Sequence, residues 1–517
     1  MPAWTSRWPA RREGIRMTAT GTSDMTGGRT IDIGGELRLS QPSGRWAIAA
    51  TALGAGLVLL ETTVLNVALP AIARDLGTGM AGMQWTVNAF ALALSALVLF
   101  GGALGDRYGR RRVYLAGLGL FALASLLGGL APNIGWLIAA RALQGVGGAL
   151  LVPGSLALVQ AAFHRDDRAR AVGAWSGMSG MAGAAGPLLG GAVVDAAGWR
   201  WVFWINVPVA VAVAAAVSRH VPETRDEGAV RGRLDVAGAA LAAIGLAGVT
   251  YGLTDTSGGG LLPAAAAVLG VLAMIAFVLV ERRAEAPMLP PALLSHRRFS
   301  AANAASFCIY GAVAGMFFLV PIQLQITSGY SPLAAGLALL PITVVVLALS
   351  PHAGTLVTRF GPRAPLTVGA VVCTAAALLA VRIGPDASYL PDVLPAVVAA
   401  GLGISAITTP VSIAVLSAVP DSRAGIASAV NNAVARAAGL LVIAALPLLA
   451  NLPEDAAHSP RALGHGFTVG MVACAGLFLL GAAASWYGIG RPDAPARSAR
   501  HRHCALTTPM VEPPSNC

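Results

Sequence analysis

The sequence contains no lysine: all 35 of its basic residues are arginine. A Walker A loop needs a lysine on the phosphates, and Schiff-base chemistry needs a lysine amine, so neither can be built from this chain. Charge of either sign is scarce, at 11% of residues against roughly 25% in soluble domains. The five cysteines (Cys308, Cys373, Cys474, Cys504 and Cys517) include no CxxC pair. That argues against a disulfide framework or a metal site, and the three in apolar runs read as small packing residues. There is no HExxH, no GxSxG and no pair of carboxylates inside an apolar run, so an embedded enzyme lacks its usual groups. A receptor reading lacks a sizeable soluble domain.

What the chain has instead is apolar surface: 56% hydrophobic residues and a mean hydropathy of +0.70. A soluble protein of this composition could not cover itself with polar groups; lipid removes the problem. The net charge of +11 could suit nucleic acid, but the arginines sit in short loops between apolar runs, a mark of membrane orientation. No nucleic-acid partner is expected. The expected energy source is an ion gradient rather than ATP, with no cofactor.

A membrane-spanning helix needs about 20 mainly apolar residues. Spans are expected near 46–72, 83–104, 113–131, 136–163, 171–196, 201–218, 234–254, 261–281, 302–325, 333–351, 364–383, 390–418, 424–450 and 465–488. They must be helices, because lipid offers no partner to unpaired backbone groups. With the N-terminus in the cytoplasm, inner loops hold 18 arginines and outer loops 4 (Arg74, Arg200, Arg382 and Arg461). The positive-inside rule is met, and an even span count returns the basic C-terminal tail to the same side. Residues 1–45, with seven arginines and no apolar run, are expected to be a disordered cytoplasmic tail, as are residues 489–517.

The chain also repeats. Gly102-Ala-Leu-Gly-Asp-Arg-Tyr-Gly-Arg-Arg111 resembles Gly354-Thr-Leu-Val-Thr-Arg-Phe-Gly-Pro-Arg363 at an offset of 252. Arg170-Ala171 with Ala184-Ala185-Gly186 matches Arg423-Ala424 with Ala437-Ala438-Gly439 at an offset of 253. Two six-helix halves, 46–218 and 302–488, are therefore expected to flank a segment, 219–301, holding two inserted helices. Related halves with a site at their interface are a transporter design.

Four motifs carry chemistry. The first, GALGDRYGRRR at Gly102–Arg112, combines turn-forming glycines, one anion (Asp106) and arginines facing the anionic inner leaflet. The second is a run of small residues in span five: Gly177, Gly180, Gly183, Gly186, Pro187, Gly190 and Gly191. Glycines at this spacing let another helix approach, and Pro187 invites a kink. The third, LIAARALQGVGG, puts Arg141 inside span four, where a charge is functional by default. The fourth, Leu60-Glu-Thr-Thr-Val-Leu-Asn-Val-Ala-Leu-Pro70, puts Glu61 in span one. A carboxylate at that depth is placed to exchange a proton.

On these residues the chain resembles the major facilitator superfamily, over roughly 46–488. The first motif is similar to its GxLaDrxGrkr signature; the span-five run is similar to the antiporter signature GxxxGPxxGG; Arg141, Gln144 and Gly145 are similar to RxxqG. The span-one motif, with Trp199–Pro208 and Gly425–Gly439, resembles the fourteen-helix drug:proton antiporter branch, with Glu61 where aspartate is usual. The resemblance implies an all-α polytopic fold of two six-helix halves plus two inserted helices. It implies proton coupling at Glu61 and Arg141. It implies a conformational gate of Gly102, Asp106, Arg107, Gly109, Arg110, Arg111 and Arg170, with Asp106 facing Arg110 or Arg170 and the start of the span at 424. Thr358 replaces the aspartate in the second copy, so a matching lock there is doubtful. Gly177, Gly183, Gly186, Pro187, Gly190 and Gly191 would form the antiporter helix.

The expected activity is proton-coupled export of hydrophobic drug-like compounds across a bacterial plasma membrane by a monomer in the bilayer. Proton-coupled metabolite uptake or export on the same fold is the alternative; the span-five signature opposes uptake. Candidate cavity residues are Asn66, Trp85, Asn88, Gln144, Asn431, Asn432 and Arg436. One buried acid against two buried arginines, Arg141 and Arg436, suits neutral, weakly anionic or monocationic aromatic compounds better than dications.

Overall fold

The computed structural model describes residues 37–225, 235–255, 261–283, 293, 295–420, 423–450, 452 and 459–489. Fourteen helices among them are long and apolar enough to cross a membrane. The expectations for residues 1–36 and 490–517, including Cys504 and Cys517, lie outside the described residues.

The first half comprises α1 (Pro42–Leu76), α2 (Met80–Tyr108), α3 (Arg110–Gly129), α4 (Ile134–Ala162), α5 (Arg165–Ala184), α6 (Gly186–Ala197), α7 (Arg200–Trp204) and α8 (Asn206–His220). The inserted pair is α9 (Val236–Thr254) and α10 (Leu261–Glu281). The second half comprises α11 (Arg297–Ile326), α12 (Pro332–Phe360), α13 (Arg363–Ala380), α14 (Leu394–Leu416, entered through a π turn at Tyr389–Val393), α15 (Ala424–Leu449) and α16 (Pro460–Gly488). The halves repeat in packing as well as in sequence. Contacts of α1 with α5, α2 with α4 and α3 with α4 recur as α11 with α15, α12 with α14 and α13 with α14.

Local chemistry sets the helix ends. Asn133 accepts from Trp136 N at 2.9 Å to start α4, and Ser331 from Ala334 N at 3.2 Å to start α12, satisfying donors a helix start leaves bare. Gly109 (φ 110°) makes the single-residue turn between α2 and α3, and Gly361 (φ 71°) ends α12 252 residues later. Both copies of the loop motif thus use their shared glycine for backbone that a side chain resists.

Three sequence expectations need correction. The tail expected through residue 45 is structured from Leu37. Leu37 N donates to Ala162 O at 2.7 Å, His164 N donates to Leu37 O at 3.1 Å, and α1 already begins at Pro42. Proline is well placed at the first helical position, where its missing N–H is no loss. Span five is two helices broken at Ala185, and span six is two broken at Ile205. The prolines explain both breaks: Pro187 has no N–H for Gly183 O, nor Pro208 for Trp204 O.

The helices alternate between two sides, one bearing the arginine-rich loops and the other arginine-poor. Polar contacts between the halves gather on the arginine-poor side. Gln84 Nε2 donates to Ile443 O at 2.5 Å and Ala444 O at 3.1 Å, and Gln325 Nε2 to Val67 O at 2.9 Å. Asp195 Oδ2 accepts from Ser331 Oγ at 3.0 Å and Leu333 N at 3.3 Å.

Candidate functional site

The first half encloses an ion pair. Arg141 on α4 and Glu61 on α1 are 1% and 0% exposed, with Nη1 2.7 Å from Oε1. The same Nη1 donates to Gln144 Oε1 at 2.5 Å, one turn along α4, and Arg141 Nε donates to Thr86 O of α2 at 3.0 Å. The guanidinium lies 4.5 Å from the Phe90 ring centre and 5.9 Å from that of Phe203. Such faces attract a cation shielded from water. Gln144 Nε2 donates onward to Ser125 Oγ of α3 at 2.9 Å.

The second oxygen of Glu61 is held by a residue the sequence argument missed. Asn206 Nδ2 donates to Oε2 at 2.6 Å from the start of α8. Asn206 lies within the quoted Trp199–Pro208 motif; its signal was that it is the only amide in that apolar run. The break at Ile205 directly precedes it. Five of the spans, one to four and six, thus converge on one carboxylate–guanidinium pair. A buried pair costs desolvation and holds only with further hydrogen bonds; here both partners have them.

At the arginine-rich end of α2, Asp106 Oδ1 pairs with Arg110, 2.8 Å from Nε and 2.7 Å from Nη2. Among the described residues this is its ion pair; Arg170 is exposed. Gly102 of the same motif faces Pro153 of α4, and the Arg107 guanidinium lies 5.6 Å from the Tyr108 ring centre. A second missed residue completes the loop. Glu223 accepts from Arg111 N at 2.9 Å and Arg112 N at 3.2 Å, serving the bare start of α3. Arg111 Nη1 also donates to Val221 O at 3.0 Å. In the second copy, Thr358 turns its hydroxyl to Thr355 O at 2.9 Å within its own helix.

The span-five glycines divide by neighbour. Gly183, Gly186 and Gly190 face α1, at Leu59, Thr63 and Val64. A Cβ on Gly191 would meet Pro332 O of α12 at 2.5 Å, and one on Gly336 of α12 would collide with the Pro187 carbonyl. Here the two halves touch backbone to backbone. Gly177, expected to let a helix approach, faces open space, as does Gly180; α5 on the arginine-rich side packs on α1, whereas α6 packs on both α1 and α12. At the break, Thr63 Oγ1 of α1 donates to Gly183 O at 2.9 Å, and Thr343 Oγ1 of α12 to Ala184 O at 2.9 Å.

The cavity candidates scatter. Gln144 belongs to the ion-pair network. Asn66 and Asn88 are buried, and the Trp85 ring sits 6.2 Å from that of Tyr251 on α9. Asn431 is half-buried and donates to Ser306 Oγ at 2.7 Å and Asn303 Oδ1 at 3.2 Å. Arg436, expected buried, is half-buried, with Nε on Oδ1 of exposed Asn432 at 2.9 Å. Its guanidinium is turned along α15 to an exposed side chain, which keeps it from full enclosure.

Fourteen apolar helices, arranged as two repeated six-helix halves around an inserted pair, are a secondary-transporter architecture. The profile of the Major Facilitator Superfamily matches residues 51–444, and the chain belongs to that superfamily. It is 36% identical over 484 residues to the puromycin resistance protein of Streptomyces alboniger, covering 90% of this chain and 94% of that one. It is 32% identical over 447 residues to the tetracenomycin C resistance and export protein of Streptomyces glaucescens, covering 83% of each. Among solved structures, it is similar to a bacterial homologue of the human lysosomal transporter Spinster in an inward-facing, unoccupied conformation. That likeness has a TM-score of 0.63 at 16% identity, over 86% of this chain and 97% of the other.

Proposed function

We propose that this chain is a proton-coupled antiporter that exports hydrophobic organic compounds, antibiotics among them, across a bacterial plasma membrane by alternating access. Export is supported by relatives named for antibiotic resistance and export. The arginine-rich side is the cytoplasmic one by the positive-inside rule, so both tails are cytoplasmic.

The observation that carries the coupling is the Glu61–Arg141–Asn206 arrangement. Glu61 is a carboxylate with no exposure, held by one cation and one amide. Adding a proton to it cancels the attraction to Arg141, which keeps Gln144 Oε1 and Thr86 O as acceptors. Protonation therefore changes how spans one, four and six are held together. A ligand or proton shifts a conformational equilibrium only by such a difference between states. The proton enters from outside and compound leaves.

Contacts between halves on the arginine-poor side, with open space at Gly177, suit a state open to the cytoplasm. In the opposite state Asp106 would approach the other half and the contacts at Gly191 and Gly336 would part. The test is expression in a pump-deficient bacterial host with a broad compound panel, repeated with Glu61→Gln and with the proton gradient collapsed. Resistance is expected to vanish in both cases; resistance unchanged in both excludes proton antiport.

A further inference from the structure

The inserted pair leaves a set of buried polar groups that the proton-coupling site does not use. Helix α9 packs on both α2 and α15, which themselves pack together where the two halves meet. On α9, Gly245, Gly248 and Gly252 face α10. At about 100° per residue, Thr250 and Thr254 fall on the opposite face, and they are 0% and 7% exposed. On α2, Trp85 meets Tyr251 of α9, and Gln84 bonds the carbonyls of α15. Asn88 follows Gln84 by four residues and Trp85 by three, so it points between α9 and α15; Ser95 lies two turns further on the same stripe.

Among the described residues, none of these four side chains has a hydrogen-bond partner for its buried polar atoms: Nδ2 and Oδ1 of Asn88, Oγ of Ser95, and Oγ1 of Thr250 and Thr254. Buried polar groups are nearly always paired, and each exception calls for an explanation, the more so at membrane depth. Threonine in a helix can return its hydroxyl to its own backbone, as Thr86 and Thr51 do here. Thr250 and Thr254 do not. The stripe carries donors and acceptors but no charge, beside the aromatic faces of Trp85 and Tyr251.

We infer that the seam between α2, α9 and α15 is a substrate-binding wall, with Thr250 and Thr254 of the inserted helix joining Asn88 and Ser95. It takes neutral hydrogen-bonding groups (hydroxyl, carbonyl or amide) of an otherwise apolar aromatic compound. This rests on the export reading for the identity of the ligand. It gives the inserted pair a part in selectivity rather than in spanning alone.

Two arms test it. In a chain with its five cysteines replaced, Thr250→Cys and Thr254→Cys are exposed in membrane vesicles to a charged, membrane-impermeant methanethiosulfonate reagent. Leu269→Cys, on the lipid-facing surface of α10, is the reference. Both seam positions are expected to react faster than the reference; reaction no faster at either position overturns the inference whatever the protein transports. In the second arm Thr250→Val/Thr254→Val, which keeps side-chain shape, is compared with the parent for tolerance of puromycin, tetracenomycin C and tetraphenylphosphonium, normalised to protein level in the membrane. Tolerance of the two hydrogen-bonding compounds is expected to fall by about five-fold per hydroxyl lost, with tetraphenylphosphonium unaffected. An equal fall for all three, or no fall for a hydrogen-bonding compound of the two that the parent exports, overturns it. A parent that protects against none of the three sinks the export reading instead, and the labelling arm still decides whether the seam is open to water-borne reagents.

Discussion

Replacing Glu61 by glutamine isolates the charge of the buried pair from its shape. Glu61 accepts at both oxygens, from Arg141 at 2.7 Å and from Asn206 at 2.6 Å. A glutamine has one oxygen and one amide nitrogen, so the nitrogen faces Asn206 if the oxygen keeps Arg141. Asn206 can turn its amide to answer, because its Oδ1 has no partner among the described residues and the turn gives up only a long bond from Nδ2 to Val202 O at 3.4 Å. The hydrogen bonds are thus recoverable and the Coulomb attraction is not. At 2.7 Å and an effective dielectric of about 20, that attraction is about 6 kcal/mol. Breaking a buried pair from one side has a typical cost of about 3–5 kcal/mol, whereas removing both charges is often close to neutral. Glu61→Gln is therefore expected to lower the thermal unfolding temperature of the purified protein, and Glu61→Gln/Arg141→Gln to recover most of the loss. Both variants are expected to lose gradient-dependent resistance. A single variant that unfolds at the parent temperature, or a double variant less stable than either single one, would refute the assignment of this energy to the pair.

Other expectations follow from the contacts between and within the halves. Gly191→Ala puts a Cβ against Pro332 O and is expected to hold the arginine-poor side apart, raising the labelling of cysteines placed there while resistance falls. Asp106→Asn loses a partly exposed ion pair worth under about 1 kcal/mol, so unfolding should scarcely move while resistance drops to that of the empty vector. Glu223→Gln weakens an anion at the start of α3, a loss of about 1 kcal/mol visible in thermal unfolding but not in which compounds are tolerated.

The spans were legible because lipid admits few solutions: every apolar run of sufficient length had to be a helix, and the arginines had to gather on one side. Glu61 and Arg141 stood out because charge is rare in such runs. Asn206 did not, since one amide among tryptophans and valines reads as part of a packing motif until its neighbour is known. Glu223 was hidden for the opposite reason. A carboxylate in a loop is ordinary, and its partners are backbone N–H groups more than a hundred residues earlier. The glycines of span five looked equivalent along the chain. Only tertiary structure separates Gly191, pressed on the other half, from Gly177, which presses on nothing among the described residues.

The break at Ala185 divides allegiance as well as geometry. Helix α5 packs on the half that encodes it, while α6, beyond the break, is held between α1 of that half and α12 of the other. The two hydroxyls at the joint repeat the division, Thr63 coming from one half and Thr343 from the other. In the alternating access proposed above, the polypeptide need not slide a whole helix past its neighbours. It can flex at one residue whose adjoining carbonyls are already bonded from outside the helix, so bending there breaks few bonds that a straight helix would have had to surrender.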